Sequence, residues 1–457
     1  MVSTSFRRFL PIIGILLLQT PVFGFHGLFL PSYGARQAGM GGAFLAIGGS
    51  IMDLQNNPAG LLKLKQPQIE GGVALNKANI EYHDKSFYPS DGFYFENNDK
   101  FHPMSPLPYF GFASPYKDRF AFGFALYGQG GGGADVNGIY RRASAESFQN
   151  NQVESKAMVQ EKLKFRFMHA KLTAGGAMSL GKLKVGLGVD LSYGFNSIDR
   201  TLTVIADPSG QSHPYSFVRA PGGFHYRSDP AVTLAGKIGF TYDWTDYFST
   251  SYSYTLPSYL PMNGTMRSDS TQLDQLGSSM VSRTMPWPER HSLGFGYKMG
   301  ALVLALDLHY IPWSKYFNRM TFSMDRFMVS APIGVQSSAL IWNLRWNDQT
   351  VVALGFEYKP NKIAYRIGGS YGATPIPPDG LTPFIGSTTE AHASFGFGFD
   401  IGNATIDIAF EHAPGKRIQG SPLADWAISR EVNGAIFQFD RSTSTNGVYL
   451  GLTYRLD

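Results

Sequence analysis

KLKVGLGVDLSY, residues 182–193, alternates without a break. Leu183, Val185, Leu187, Val189, Leu191 and Tyr193 fall on one face of an extended chain, and Lys182, Lys184, Gly186, Gly188, Asp190 and Ser192 on the other. Successive side chains of a strand point to opposite faces, so a period of two reads as a strand with one apolar surface. The same pattern returns along the chain. Phe120, Phe122, Phe124 and Leu126 oppose Ala121, Gly123, Ala125 and Tyr127; Leu302, Leu304, Leu306 and Leu308 oppose Val303, Ala305, Asp307 and His309; Phe395, Phe397, Phe399 and Ile401 oppose Gly396, Gly398 and Asp400. Val448, Leu450, Leu452, Tyr454 and Leu456 close the sequence on a shared face.

Alternation alone fits a soluble sandwich as well as a membrane barrel, because each has one apolar face. The joints separate the two. Strands are expected near 68–83, 107–116, 119–129, 161–180, 182–204, 230–243, 246–257, 289–299, 301–313, 346–359, 362–372, 389–402, 404–412 and 446–456, which makes fourteen. Tight joints at Lys117–Asp118, Gly181, Trp244–Thr245, Gly300, Pro360–Asn361 and Asn403 alternate with long polar ones at about 84–106, 130–160, 205–229, 258–288, 314–345, 373–388 and 413–445. Short turns at one end and long loops at the other are the layout of an up-and-down outer-membrane barrel, whereas so many long loops are uncommon in a compact soluble domain. The expected fold is all-β: a 14-stranded antiparallel transmembrane barrel over residues 67–457. Tyrosines at strand ends (Tyr127, Tyr193, Tyr310, Tyr358 and Tyr454) fit either headgroup-level rings or ordinary strand propensity.

Composition agrees. Of 457 residues only 16% are charged, 14% are aromatic and 52 are Gly, a composition suited to strands and turns and poor for helices. The net charge of +5 is spread thinly, with no Lys/Arg run dense enough for nucleic acid. Cysteine is absent, which removes disulfides, thiolate metal sites and cysteine nucleophiles. Residues 1–24 read as a signal peptide: Arg7 and Arg8, then the apolar run Phe9–Leu18, then a cleavage site at Val22-Phe23-Gly24. No later segment offers the roughly 20 apolar residues of a spanning helix.

Residues 25–66 do not alternate. They hold Gly39-Met40-Gly41-Gly42-Ala43 and, further on, Asn57-Pro58-Ala59-Gly60-Leu61. Small residues permit close backbone packing, so this segment is expected either to enter the lumen as a plug or to hang as a tail. These two runs at their spacing resemble the hatch signature of the FadL/TodX/OmpP1 family. Pro108-Tyr109-Phe110 with Asp118-Arg119-Phe120, Tyr310-Ile311-Pro312-Trp313-Ser314-Lys315, and the block from Trp346-Asn347-Asp348 through Gly355-Phe356-Glu357-Tyr358 to Pro375-Ile376-Pro377 are similar to further family stretches in the right order. Gly48-Gly49 departs from it, since members often carry acids there. The resemblance implies an outer-membrane transporter of hydrophobic compounds such as long-chain fatty acids. It implies a hatch at 25–66 marked by Gly39, Gly41, Gly42, Asn57, Pro58 and Ala59, capture among the loops, a lumen pocket, and sideways release at a kink in the third strand.

Gly128, Gly130 and Gly131 are the candidates for that kink, because glycine weakens a strand ladder; a flexible loop start is the other reading. Arg200 and Arg319 are candidate partners for a ligand carboxylate, or solvated strand ends. Met262 and Met266 lie in a loop rich in apolar residues, which fits a capture groove or packing among loops. The expected partners are a small hydrophobic ligand (fatty acid or aromatic hydrocarbon) and outer-membrane lipid and lipopolysaccharide, with the protein a monomer and no cofactor or metal. Catalysis is not expected: neither a Gly-x-Ser-x-Gly elbow nor a His-Glu-x-x-His pair is present. A barrel serving as adhesin or phage receptor is the alternative, although a plug would be superfluous there.

Overall fold

The computed structural model describes residues 26–89, 92–146, 153–205, 224–268, 278–330, 335–424 and 436–456; the expected signal peptide, residues 1–24, lies outside them. Fourteen of the described strands form the wall: β1 Gln68–Tyr88, β2 Met104–Tyr116, β3 Phe120–Glu146, β4 Val153–Leu180, β5 Leu183–Ile205, β6 Ala231–Asp243, β7 Phe248–Thr255, β8 Arg290–Met299, β9 Leu302–Ile311, β10 Gln349–Tyr358, β11 Ile363–Tyr371, β12 Ala391–Ile401, β13 Ala404–Gln419 and β14 Ile436–Arg455. Each pairs antiparallel with its sequence neighbour. β14 then pairs with β1, from Gln68–Arg455 to Phe87–Ile436, and the sheet closes.

Closure removes sheet edges, and the side chains show what surrounds the cylinder. In β5, Asp190 and Ser192 are fully buried while Leu187 and Val189 are 59% and 60% exposed. In β3, Ala121 and Ala125 are buried while Phe120, Phe122 and Phe124 are exposed. A soluble sheet hides its apolar face; this one turns it outward all the way round, with Leu354, Ile367, Phe395 and Leu452 on other strands. Such an outer band is stable only against lipid, where closure also satisfies every backbone group. Exposed Tyr116, Trp244, Tyr247, Tyr358, Tyr365 and Tyr454 lie near the tight-turn end. Tyr127 is different: it is buried in the lumen, its hydroxyl 2.9 Å from that of Thr173.

The tight turns fall where expected, with Lys117 and Asp118 at φ 50° and 55°, and Gly181, Gly300 and Gly402 at positive φ. The long joints are not the plain polar loops expected. β3, β4, β13 and β14 continue well beyond their anticipated ends. Phe93–Phe101 adds to β1; Gly264–Ser268 and Ser278–Ser282 pair with each other, as do Arg319–Ser330 and Val335–Asn343. Above the bilayer a strand no longer needs an apolar face toward lipid, so the signal used to find strands vanishes while the ladder continues. The 373–388 joint folds inward instead, burying Ile376, Leu381, Phe384 and Ile385.

Residues 26–66 fill the cylinder. They form short helices at Ala35–Gly39 and Asp53–Asn56 and a 3-10 turn at Pro58–Lys63. Met40, Ala43, Phe44, Ile51, Met52, Leu54 and Ala59 are all essentially inaccessible.

Candidate functional site

The N-terminal segment meets the wall in two ways. On one side, backbone lies on backbone. A Cβ added to Gly41 (φ 65°) would overlap the backbone nitrogen of Gly369, and one added to Gly368 would overlap Met40. A Cβ on Gly355 would sit 2.5 Å from the Met40 carbonyl oxygen, and one on Gly39 would sit 3.2 Å from Gly396 Cα. Gly186 abuts Ala59 in the same manner. Gly42 (φ 85°) faces the Pro31 carbonyl within the segment itself. Glycine on both surfaces is what permits this approach. Asn57 caps the 3-10 turn, its Oδ1 accepting from the Ala59 N–H at 3.1 Å, while its Nδ2 donates to the Leu45 carbonyl and Thr241. Pro58 occupies the first position of that turn, where no N–H is needed.

Inward-facing charges complete this side. Asp307 accepts the N–H groups of Phe44 and Leu45 at 2.7 and 2.9 Å. Glu70 accepts from Ser50 Oγ and the Ile51 N–H. Arg36 donates from Nε and Nη2 to Glu357, which also pairs with Arg366, itself bonded to Asp407. Lys237 donates to the Leu54 carbonyl at 2.8 Å and to Asp190 at 2.7 Å, with Lys171 on the other carboxylate oxygen. Asp53 accepts the Gly49 and Ser50 N–H groups; burial pushes its carboxyl up to about 7. These partners were not anticipated from the sequence. Their signal was a charged residue on the small-residue face of a strand.

The other side faces β3 and is looser. The β2–β3 ladder, among the described residues, stops at Tyr109–Tyr127. Above it β3 pairs only with β4, and that register slips between Gly128 and Gly130, leaving Gln129 as a bulge. The N-terminal segment sits on this bulge. Phe29 bridges to Gly130. Tyr33 Oη donates to the Gln129 carbonyl at 2.6 Å and accepts from Gln129 Nε2. Leu107 packs against Gly128, which lacks a side chain to meet it.

Above lies a packed aromatic cluster. Phe29 stands between Trp287 and Trp313, at 4.9 and 5.6 Å, and Trp313 stacks edge-on to Phe317 and Trp346 at 5.0 Å each. His26 lies against it, and burial beside His392 holds its imidazole well below the ordinary histidine range. Met262 and Met266 are buried, with the Met262 carbonyl accepting from Tyr226 Oη; Tyr259 and Met280 remain exposed on that connection. Arg200 pairs with Glu161. Arg319 is exposed at the base of its hairpin. Neither cation therefore joins the aromatic cluster.

Residues 30–457 match the family model described as outer membrane protein transport protein (OMPP1/FadL/TodX). The chain belongs to this family. Its members are outer-membrane channels for hydrophobic compounds, not enzymes. Solved OMPP1/FadL/TodX structures share the fold. A Pseudomonas aeruginosa FadL homologue is 15% identical, with 94% of this chain and 100% of that one covered, at TM-score 0.72. The P. putida toluene transporter TodX is 18% identical, with 93% and 99% covered, at 0.65. The Ralstonia pickettii toluene transporter TbuX is 18% identical, with 94% and 99% covered, at 0.58. No curated protein matches.

Proposed function

We propose that the protein takes up hydrophobic compounds such as long-chain fatty acids past the aromatic cluster and releases them sideways between β2 and β3. The interrupted ladder at Tyr109–Tyr127 carries this reading. An apolar solute resists transfer to water by about 25 cal/mol per Å² of apolar surface. A gap in the wall lets it leave for lipid without that step. Residues 26–33 cover the inner mouth of the gap, and residues 25–66 act as the hatch. The P. putida and R. pickettii neighbours are described as toluene transporters, and the P. aeruginosa neighbour as a FadL homologue, which supports a hydrophobic ligand.

Gly130→Val tests this proposal. Its side chain would collide with the Leu28 carbonyl and Trp287, at a place where the wall itself has no ladder to lose on the β2 side. Heat-modifiable mobility on gels should stay that of a folded barrel, while uptake of a labelled fatty acid falls at least about tenfold. Unchanged uptake by a folded Gly130→Val barrel would count against the sideways route.

A further inference from the structure

On one side of the barrel the outer wall turns basic directly above the lipid-facing band. A spanning strand takes roughly 9–11 residues. Counted up from Leu180 at the tight turn, that length brings β4 almost to Met168, which opposes Phe195 of β5. Both point outward, and they form the last apolar row. The next outward row is Arg166, Ser197 and Arg227, and the row above it is Lys164, Asp199 and His225. Lys162 lies one step higher on β4. Arg267, on the strand Gly264–Ser268, stands opposite His225. The alternate residues Leu163, Phe165, Phe167, Tyr226 and Met266 are buried on the lumen side. The five cations therefore point away from the lumen, and each is exposed.

Acids offset only part of this charge. Asp135 pairs with Lys164 at 3.4 Å, and Asp199 takes Arg227 at 2.9 Å and His225 at 2.7 Å. Asp229 is the third acid on this face. Lys162, Arg166 and Arg267 carry no ion pair among the described residues. Elsewhere on the rim the charges cancel. Arg417 lies between Glu81 and Asp440, Lys100 also pairs with Glu81, and Lys315 pairs with Glu289. A surplus of cations confined to one place, at headgroup height, draws anionic lipid heads. A guanidinium takes two phosphate oxygens at once, which adds geometry to the attraction.

We propose that this face binds the phosphates of a lipopolysaccharide molecule in the outer leaflet, held by Lys162, Arg166 and Arg267, with its acyl chains running down past Met168, Phe195 and Val189. The chain belongs to an outer-membrane family, and lipopolysaccharide carries its lipid-anchor phosphates where the acyl chains meet the sugar, the height at which Arg166 stands. Apolar side chains below and unpaired cations above match that amphiphile in order. The site lies on the lipid side of the wall, so it stands apart from the uptake route.

The test measures equilibrium binding of three lipids to the purified full-length protein in a neutral maltoside: bisphosphorylated lipid A, the same lipid A stripped of phosphate, and phosphatidylglycerol. Wild type should bind bisphosphorylated lipid A at least about tenfold more tightly than either of the others. The variant Lys162→Gln/Arg166→Gln/Arg267→Gln should weaken that binding by about tenfold or more and leave the stripped lipid unchanged. Lys100→Gln/Arg417→Gln, on the neutralised part of the rim, should bind as wild type does. Equal binding of phosphorylated and stripped lipid A by wild type would overturn the site. Phosphatidylglycerol bound as tightly as lipid A would overturn the choice of lipopolysaccharide. Undiminished binding by the triple variant, or an equal loss in the control, would also overturn it, leaving only diffuse attraction. Heat-modifiable mobility reports folding of each variant. Should the triple variant fail to fold, Arg166→Gln alone decides, with a loss of about threefold expected and no loss contradicting the site.

Discussion

The two sides of the N-terminal segment are built from the same residue type to opposite effect. Toward β5 and β10–β12, glycines let two backbones touch, and buried carboxylates and Lys237 fasten the contact. Toward β3 the contact is tight only at Gly130, which abuts the Leu28 carbonyl, and opens beyond it: a Cβ on Gly132 would have only Leu28 and Phe165 at 3.7 and 3.9 Å. Here one bridge at Gly130 and one tyrosine at Gln129 hold the segment, beside a wall without its ladder. On the proposed route one side is the anchor and the other parts. A lumen plug fixed all round could not pass a solute, and one loose all round would leak.

The largest effect should come from attacking the anchor. Gly41→Val places a branched side chain at φ 65° into the Gly369 backbone. We expect most of the protein to lose its heat-modifiable folded form, or residues 26–66 to become protease-sensitive in barrels that do assemble. Gly132→Ala on the other side should be nearly silent in both assays, and a comparable defect there would erase the distinction. Lys237→Met should be intermediate. It strips the Leu54 carbonyl of its donor and leaves Asp190 with Lys171 and the Thr173 hydroxyl, a loss below the about 3–5 kcal/mol of a buried charge left with no partner. Thermal unfolding followed by circular dichroism would report it.

The wall was legible because lipid imposes a rule on every spanning strand. An apolar residue must recur at every second position, and that rule is visible in residues 182–193 without any partner. The rule lapses above the bilayer, so β3 was expected to stop near residue 129 but runs to Glu146. The lumen packing of residues 26–66 was legible only as glycine-rich runs. Why Gly41 must be glycine depends on Gly369, a second glycine hundreds of residues away. The fastenings of the N-terminal segment were not legible at all: Asp307 and Lys237 meet backbone groups of Phe44, Leu45 and Leu54 that only the fold brings to them.

The central claim is that the wall parts between β2 and β3. A Cβ at Gly128 would lie 3.9 Å from that of Leu107, across the gap and within disulfide reach, and the native chain has no cysteine to interfere. The double variant Leu107→Cys/Gly128→Cys, oxidised in the outer membrane, should lose uptake of a labelled fatty acid and regain it with dithiothreitol. Uptake by the oxidised barrel at the rate of the reduced one would contradict the account.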